Sequence, residues 1–450
     1  MKRGETIRVK IERLSPEGSG FAEVQGRALS IKGTVPGDVA DARILSVKRH
    51  SAKVKLESIV TPGIKRIPAK CSHFGQCGGC RWQDIPYEIQ CSMKASLVRT
   101  ALSEIPGIDP VDDSEFIPSP NQFFYRNKME YSFDSPPFER DKVSLGLHEA
   151  GRFDRIFDLK KCFLQSERSN DVVNATRLFI LEHKLTVYGF KSHSGLLRFL
   201  MIREGENTGE LMINLVTSDE QFAYAGEYAD YLASEIDAVT TIVRSINRKK
   251  ANTAIGEECE VLFGDGFICD RIGTYTFTIS PDSFFQTNTR QAENLYNTIR
   301  EFCNLSGTEN LLDLYCGTGT IGIYLAEGAK TVVGVEMLEN AVEDARRNAS
   351  INNIANVTFH TGQVEKLPDE FMSGFDTVVC DPPRTGIHPK ALNHLLRMRI
   401  PRMVYVSCNV KAMPHDLEML AMAGYRIRKA RVFDMSPHTP HIETVLLLEI

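Results

Sequence analysis

Helix and strand patterns alternate from Ser283 to the C-terminus, and this alternation constrains the fold more than any other feature of the 450-residue chain. Short apolar runs such as NLLDLY, TVVGVE, FDTVVCD and RMVYVSC are each followed by a helix pattern, for example ENAVEDARRNAS. Two closing strands are predicted in RIRKARVFD and ETVLLLE. This βαβ rhythm predicts an α/β unit with an open, mostly parallel sheet and helices on both of its faces.

The rest of the chain has a different texture, and its length calls for more than one domain. Residues 5–58 are short alternating runs separated by Gly and Pro, which predicts a small antiparallel barrel. Residues 115–280 read mainly as strands, with one helix predicted at about 167–183. We therefore expect three domains: a small β-barrel at 1–60, a mostly β domain at 61–280 and the α/β domain at 281–450.

A further helix is predicted at about 87–104, and we expect it to pack on the C-terminal domain. The chain has no apolar run of the ~18 residues that a membrane span requires. The N-terminal residues MKRGETIRVK also lack the apolar stretch of a signal peptide. A cytoplasmic protein without membrane contact is expected, and we expect a monomer.

Charge is unevenly distributed along the chain. Residues 1–100 contain 18 Lys and Arg but only 9 Asp and Glu, although the whole chain carries a net charge of −5. A basic N-terminal part on an acidic body indicates contact with a polyanion such as RNA, with a solvated lysine-rich face as the plain alternative.

The first strand of the α/β unit leads into a glycine-rich turn. Gly317, Gly319 and Gly322 fit the pattern G-x-G-x-x-G, and Glu336 ends the next strand at the usual distance for a ribose acceptor. Asp313 at the strand end would repel a dinucleotide pyrophosphate, whereas it suits the sulfonium and ammonium groups of S-adenosylmethionine. The alternative is that Asp313 caps the following helix.

Two more features lie at the carboxyl ends of strands, where open α/β sheets bind ligands. Asp381-Pro-Pro-Arg384 follows one strand, and its two prolines make a rigid loop. Cys408 follows the next strand. A thiolate at such a site can add to C6 of a uracil, so that C5 becomes nucleophilic enough to accept a methyl group. The adduct then needs a general base, and Glu443 ahead of the last strand is the candidate, with an exposed strand-end acid as the alternative.

Taken in order, these motifs resemble the RNA uracil-C5 methyltransferases, which form 5-methyluridine in ribosomal or transfer RNA. The motifs are Ser283-Phe-Phe-Gln286, Asp313-Leu-Tyr315-Cys-Gly317-x-Gly319, Asp381-Pro-Pro-Arg-x-Gly386, Ser407-Cys408-Asn409 and His441-Ile-Glu443. The resemblance implies a class I, Rossmann-like methyltransferase domain, with Cys408 as nucleophile and Glu443 as base. It also implies that Gln286, Tyr315, Glu336 and Asp381 line the S-adenosylmethionine site.

A cysteine loop precedes the predicted helix at 87–104. Cys71, Cys77 and Cys80 have the spacing C-x5-C-x2-C, and Cys162 is the best candidate for a fourth ligand. Spacing alone allows zinc, with His73 as a possible substitute ligand, or an iron–sulfur cluster. The resemblance implies a [4Fe–4S] cluster on these four cysteines. It also implies that the N-terminal barrel is a TRAM domain, related to OB-type barrels, that binds RNA.

Three functions remain open at this point. The favoured one is methylation of a uridine in RNA, with 23S ribosomal RNA preferred over the T-loop of transfer RNA. The second is a dinucleotide-dependent oxidoreductase with an iron–sulfur centre. The third is a non-catalytic RNA-binding scaffold.

Overall fold

The N-terminal strands close into a small barrel. The computed structural model describes residues 1–106, 114–135, 143–368, 370–371 and 373–450. The barrel strands are β1 (Thr6–Lys10), β2 (Arg13–Leu14), β3 (Gly20–Val24), β4 (Arg27–Ile31), β5 (Val39–Val47) and β6 (Ser51–Thr61). Their order is β1-β5-β6-β4-β3-β2, and because β2 continues β1 around a bend, the sheet closes on itself.

The barrel has its own small core and one pairing that the sequence pattern did not predict. Val9, Ile11, Ala22, Ile31 and Ala42 point inward, as the period-2 alternation requires. The barrel was predicted as antiparallel, but β4 and β6 run parallel. Alternation identifies the inward face of each strand but not its neighbour, so this pairing could not be predicted from the pattern.

The middle of the chain contains a second sheet, together with helices and three strands that lie outside that sheet. Its elements are α1 (Tyr87–Ser103), β7 (Ser114–Ile117), β8 (Lys128–Asp134), β9 (Ser144–Glu149), β10 (Arg152–Asp158), α2 (Glu167–Glu182), β11 (Leu197–Glu204), β12 (Leu211–Thr217), α3 (Ala225–Glu235), β13 (Thr241–Ile246), β14 (Glu258–Phe263), β15 (Ile268–Ile272) and β16 (Tyr275–Ile279). Seven of these strands have the order β10-β9-β8-β11-β12-β13-β14. Central strands β11 and β12 are buried along their whole length.

Helix α3 lies in a segment that was predicted to hold strands only. It connects β12 to β13, which run parallel, and a parallel pair needs a crossover that is usually helical. Its buried residues Tyr228, Ala229 and Leu232 follow a helical spacing. The helix has only 11 residues and many polar ones, so its amphipathic signal is short.

The C-terminal part has the predicted α/β architecture. Its elements are α4 (Thr289–Cys303), β17 (Asn310–Leu314), α5 (Thr320–Leu325), β18 (Thr331–Glu336), α6 (Glu339–Ile351), β19 (Val357–Thr361), β20 (Thr377–Cys380), α7 (Pro389–Met398), β21 (Arg402–Ser407), α8 (Met413–Met422), β22 (Arg426–Phe433) and β23 (Glu443–Glu449). The sheet order is β19-β18-β17-β20-β21-β23-β22-β7. Strand β23 is inserted antiparallel between β21 and β22.

Helices cover both faces of this sheet. Met93, Leu97 and Leu102 of α1 belong to the same apolar cluster as Tyr405 and Leu417, so α1 packs on the face that α7 and α8 also cover. Strand order reverses between β17 and β20, and ligands of open α/β sheets bind at such a switch point. Within the described part of the chain, no helix is long and apolar enough to cross a bilayer.

Candidate active site

The glycine-rich turn lies at the switch point and has the conformation that its glycines allow. Tyr315 and Gly317 have positive φ angles of 62° and 53°, and Gly319 begins α5 at 77°. A Cβ on Gly319 would lie 2.5 Å from Cζ of Phe359. The turn therefore needs glycine at 319 for both backbone angle and close packing.

Asp313 lies beneath this turn. Its Oδ2 accepts a hydrogen bond of 2.9 Å from the backbone N–H of Gly322 in the first turn of α5. Its Oδ1 is buried without a hydrogen-bond partner. Burial, and then the nearby Asp381, raise the pKa of Asp313 to about 8. Oδ2 thus caps helix α5, which was the alternative role considered for Asp313. Oδ1 remains a buried acceptor without a hydrogen bond.

Glu336 lies at the end of β18 and faces the same turn. Its carboxylate accepts from the backbone N–H groups of Gly317 at 3.2 Å, Met337 at 2.7 Å and Leu338 at 3.0 Å. Met337 and Leu338 themselves are more than half exposed. A fixed carboxylate beside exposed apolar side chains is a suitable surface for a ribose and its purine.

Gln286 reaches the site from the loop before α4. Its flanking residue Phe285 is buried in the core, whereas Phe284 is 65% exposed. The backbone carbonyl of Gln286 accepts from Nδ2 of Asn127 at 2.7 Å, and the carbonyl of Phe284 accepts from Oγ1 of Thr318 in the glycine turn. Asn127 carries no sequence signal for this role because it lies 159 residues away.

Asp381 begins the rigid loop after β20, next to the end of β17. The loop is fixed by Asp416 of α8, whose Oδ2 accepts from the N–H of Ile387 at 2.9 Å and from the hydroxyl of Tyr405 at 2.8 Å. Gly386 in this loop has a φ of 83°, and a Cβ there would lie 2.7 Å from Asp416. Sequence reasoning did not identify Asp416, which carries no motif of its own.

Cys408 and Glu443 lie beside each other on neighbouring strands. Strands β21 and β23 pair antiparallel with Ser407 opposite Thr444, so the residue after Ser407 meets the residue before Thr444. Both residues are half-buried. The structure therefore brings together the two residues that the sequence proposed as nucleophile and base, although 34 positions separate them.

Charges around this pair oppose each other. Burial, Glu443 and Asp381 raise the pKa of the Cys408 thiol to about 12, and Arg384 acts in the opposite direction. Burial and Asp381 raise the pKa of Glu443 well above its usual value, and Arg384 again lowers it. Asn409 connects the loop after β21 to the loop after β20, because its Nδ2 donates to the carbonyl of Arg384 at 2.7 Å. Arg384 belongs to the Asp381-Pro-Pro-Arg motif, but nothing in that motif assigned it a role.

The four predicted cysteine ligands line one cavity of about 780 Å³: Cys71, Cys77, Cys80 and Cys162. Two sulfurs receive backbone N–H groups, Cys77 from Gly79 at 3.3 Å and Cys162 from Leu164 at 3.5 Å. Burial raises the pKa of Cys80 to about 12, and the three other cysteines of this set also raise it.

These four cysteines line the same cavity but are not arranged as a metal site. Among the described residues, no three or more His, Cys, Asp or Glu side chains are arranged as a ready metal-binding group. His73 is engaged elsewhere, because its Nε2 accepts from the backbone N–H of Lys160 at 3.1 Å. The soft sulfur donors and the N–H···S contacts are features that suit an iron–sulfur cluster.

Comparison with known proteins extends over the whole chain. A family model described as tRNA (uracil-5-)-methyltransferase matches residues 209–450, and a TRAM domain model matches residues 1–56. A protein of Clostridium tetani (strain Massachusetts / E88), named as an uncharacterized RNA methyltransferase, is 37% identical over 451 residues, covering 99% of this chain and 98% of the relative. A similarly named protein of Caldanaerobacter subterraneus subsp. tengcongensis is 35% identical, with 100% of both chains covered.

A solved structure is similar over the same length. It is the Pyrococcus abyssi tRNA (uracil-54, C5)-methyltransferase in complex with S-adenosyl-L-homocysteine, with a TM-score of 0.78 and 31% identity. The match covers 98% of this chain and 100% of that one. The resemblance inferred from the ordered motifs is confirmed: the chain belongs to the tRNA (uracil-5-)-methyltransferase family and is an S-adenosylmethionine-dependent RNA methyltransferase.

Proposed function

We propose that this protein methylates C5 of a uridine in RNA through a covalent bond between Cys408 and C6 of the base. The observation that carries the proposal is the position of Cys408, directly after β21, beside Glu443 at the start of β23 and next to Asp381 at the switch point. A thiol and a carboxyl group at one ligand-binding edge are the two groups that this chemistry needs.

Two side chains carry the proposed chemistry, Cys408 as nucleophile and Glu443 as base. Cys408 gives up its proton to water, and its Sγ forms a bond with C6 while the C5–C6 double bond becomes an enolate. S-adenosylmethionine, when bound, supplies the electrophilic methyl group that C5 takes up. Glu443 then removes the proton from C5, the double bond re-forms, and the bond between Sγ and C6 breaks to release Cys408 as a thiolate.

The environment of Glu443 suits a base that acts in a late step of the reaction. Burial and Asp381 favour its protonated form, so a proton taken from C5 is readily held there. Arg384 faces both the thiol and the carboxyl group and stabilises each as an anion. The charge of Arg384 therefore supports formation of the Cys408 thiolate in the first step. It also supports formation of the Glu443 carboxylate before the proton is removed from C5.

For S-adenosylmethionine we propose the site formed by the glycine turn and the neighbouring strand ends. Gln286, Tyr315, Glu336 and Asp381 would line it, with Gly317 and Gly319 giving close access to the backbone. Glu336 has the clearest rationale, as a fixed acceptor for ribose hydroxyls. Asp313 would act from beneath by capping α5 and holding the turn.

We also propose that Cys71, Cys77, Cys80 and Cys162 hold a [4Fe–4S] cluster with a structural role, because methyl transfer involves no change of oxidation state. That all four cysteines line one cavity supports this. Anaerobic purification should give brown protein with about four iron and four acid-labile sulfide per chain. Colourless protein with one zinc per chain would support the zinc alternative instead.

The RNA substrate has two candidates. We favour 23S ribosomal RNA, because the barrel combined with the cysteine loop resembles the ribosomal RNA group of the family. Transfer RNA is the second candidate, and it is favoured by the similarity to the Pyrococcus abyssi tRNA (uracil-54, C5)-methyltransferase. We further propose that the protein works in the cytoplasm, where both RNAs are made in bacteria, and as a monomer.

The direct test is methylation of defined RNAs by purified protein. We expect 5-methyluridine to form in a 23S ribosomal RNA transcript, more slowly or not at all in transfer RNA transcripts, and not with Cys408→Ala. Exclusive methylation of transfer RNA would reverse the substrate preference. Normal methylation by Cys408→Ala would contradict the covalent mechanism.

A further inference from the structure

The segment that leads into Glu443 is anchored by elements far away in the sequence. Residues 434–442 connect β22 to β23, and we name them the 434–442 connection. Four successive carbonyl groups in it, those of residues 435–438, accept hydrogen bonds from outside the connection. The donors are Asn288 Nδ2, Lys94 Nζ, Tyr125 OH and the backbone N–H groups of Arg81 and Trp82.

Gln90 of α1 lies at the centre of this anchorage and is fully buried. Its Oε1 accepts from the backbone N–H of His438 at 3.0 Å, and its Nε2 lies 3.2 Å from Nδ1 of the same histidine. On the other side, Nε2 donates to the carbonyls of Trp82 and Ile85, each at 2.9 Å. One amide group thus joins the end of the cysteine loop to the 434–442 connection.

Lys94, one helical turn further along α1, fixes the start of the connection. It forms an ion pair with Asp434, and both side chains are fully buried. Asp434 Oδ1 also accepts from the backbone N–H of Ser436. Helix α1 therefore contacts the connection at both 434 and 438.

The nucleophile is held in a different way. Cys408 lies on the loop between β21 and α8. Within it, Nδ2 of Asn409 donates to the carbonyl of Arg384, and across it Asp416 of α8 accepts from the hydroxyl of Tyr405 in β21. Disturbing Gln90 would therefore move the base but leave the nucleophile in place. A shift of about 1 Å in a reacting group is enough to slow a step by orders of magnitude.

We propose that Gln90 is a positioning residue for Glu443, so that α1 and the cysteine loop determine the rate of proton removal from C5. The inference rests on the proposed function, which gives Glu443 that step. Loss of Gln90 should slow the release of Cys408 from the methylated base more than the formation of the bond to C6.

The test compares Gln90→Met with Gln165→Met. Gln165 is also a fully buried glutamine, and its Nε2 donates to a backbone carbonyl, that of Ile202 in β11. It lies just before α2, and its side chain bonds to the central sheet and not to the 434–442 connection. Each variant is incubated with substrate RNA and methyl-labelled S-adenosylmethionine. The ratio of covalent RNA–protein adduct to free 5-methyluridine is then read from denaturing gels and nucleoside analysis.

We expect Gln90→Met to raise the adduct-to-product ratio about tenfold or more, and Gln165→Met to leave it at the wild-type value. Amide hydrogen exchange across residues 434–442 should also accelerate in Gln90→Met alone. Gln90→Glu, which keeps the shape and the acceptor but loses both donors, should raise the ratio as well if Gln90→Met fails to fold.

Glu443→Gln separates the two claims. If it accumulates adduct and the Gln90 variants do not, Gln90 is not a positioning residue and the proposed function stands. If Glu443→Gln turns over normally without adduct, the proposed role of Glu443 is wrong and this inference fails with it. Equal loss of activity in Gln90→Met and Gln165→Met, at an unchanged ratio, would also overturn the inference.

Discussion

At the scale of single residues, the thiol of Cys408 is surrounded by charges of both signs. Two carboxyl groups, those of Glu443 and Asp381, disfavour the thiolate, whereas the guanidinium of Arg384 favours it. Cys408 of the free enzyme should therefore be unreactive at neutral pH. Because its pKa is about 12, each rise of one pH unit below that value should increase the thiolate fraction about tenfold.

Alkylation of Cys408 by iodoacetamide measures this balance directly. Glu443→Gln removes the carboxyl group whose negative charge raises the pKa of Cys408, so the alkylation rate should increase at a pH where Glu443 is ionised. Arg384→Gln removes the positive charge and should decrease it. Peptide mass spectrometry identifies the modified cysteine. Equal rates in both variants would contradict the charge arrangement described here.

A second residue-scale prediction concerns the glycine turn. Gly319→Ala combines a positive φ with a Cβ placed 2.5 Å from Phe359, and should lower the free energy of unfolding by about 2–4 kcal/mol. Gly307→Ala is the matched control, because its φ of 94° is also positive but no atom lies within 4 Å of the added Cβ. It should cost about 1 kcal/mol.

Binding of S-adenosylmethionine separates the two glycine variants further. Calorimetric titration should show weaker binding for Gly319→Ala and wild-type binding for Gly307→Ala. Unchanged affinity in Gly319→Ala would mean that the turn after β17 does not contact the cofactor.

The sequence predicted single residues well where they belong to a motif and poorly where they do not. Cys408, Glu443 and the glycines of the turn could be named because their motifs occur in a fixed order. Asn127, Asp416 and Gln90 could not, because each acts through hydrogen bonds with groups that are distant in the sequence. Polar residues of this kind are indistinguishable in sequence from ordinary helix or strand residues.

At the scale of elements, the 434–442 connection is notable for a buried histidine. His438 is 3% exposed, and burial, followed by the positive charge of Lys94, lowers its pKa to about 4. The neutral form is thus favoured in the folded state, while the unfolded chain takes up a proton near pH 6.5. Stability is present above that pH and is lost as pH falls toward 4.

Acid unfolding measures this contribution. Lowering the pH from 7 to 4 should cost about 3 kcal/mol of unfolding free energy through His438 alone. His438→Asn should remove most of this pH dependence, since asparagine tolerates the positive φ of 64° at this position. Replacing the exposed His50 with Asn should not. Denaturant titrations at several pH values would show whether the change in unfolding free energy with pH depends on His438.

Elements were predictable where they repeat a clear period. The alternation from Ser283 onward predicted β17, β18, β20 and β21 with the helices that follow them, and the closing strands β22 and β23, but not β19. Strand β7 could not be assigned to that sheet, because its pairing with β22 joins residues more than 300 positions apart. Helix α3 was missed because 11 residues give too short a pattern.

At the scale of the whole molecule, the barrel contacts both loops of the active site. Gly18 packs closely against Pro440 of the 434–442 connection, and the carbonyl of Glu17 accepts from Arg81 after the cysteine loop. The carboxylate of Glu17 also pairs with Lys411 beyond Cys408. RNA held on the barrel would therefore lie near Cys408 and Glu443.

Exposed cations on β5, β6 and their turn should carry RNA affinity. We expect the triple variant Lys48→Gln, Arg49→Gln and Lys53→Gln to weaken RNA binding and to reduce the slope of log affinity against log salt by about 2–3. The control is Arg248→Gln with Lys249→Gln, whose charges are already paired with Glu258 and Glu257. Filter binding at several salt concentrations would show whether the barrel cations matter more.

The domains and their roles could be predicted from the charge distribution and the strand and helix patterns. The contacts between the domains could not. An excess of Lys and Arg in the first 100 residues indicated where RNA would bind. Nothing in that excess indicated that Gly18 would meet Pro440. Such contacts depend on shape complementarity between folded surfaces, which composition does not encode.

The covalent bond between Cys408 and the pyrimidine is the central claim, and trapping it is the most direct test. Glu443→Gln, incubated with substrate RNA and methyl-labelled S-adenosylmethionine, should give a labelled protein–RNA band that survives denaturation. Digestion should place the methylated nucleotide on Cys408, and Cys408→Ser should abolish the band. Normal formation of 5-methyluridine by a variant without this sulfur would contradict the account.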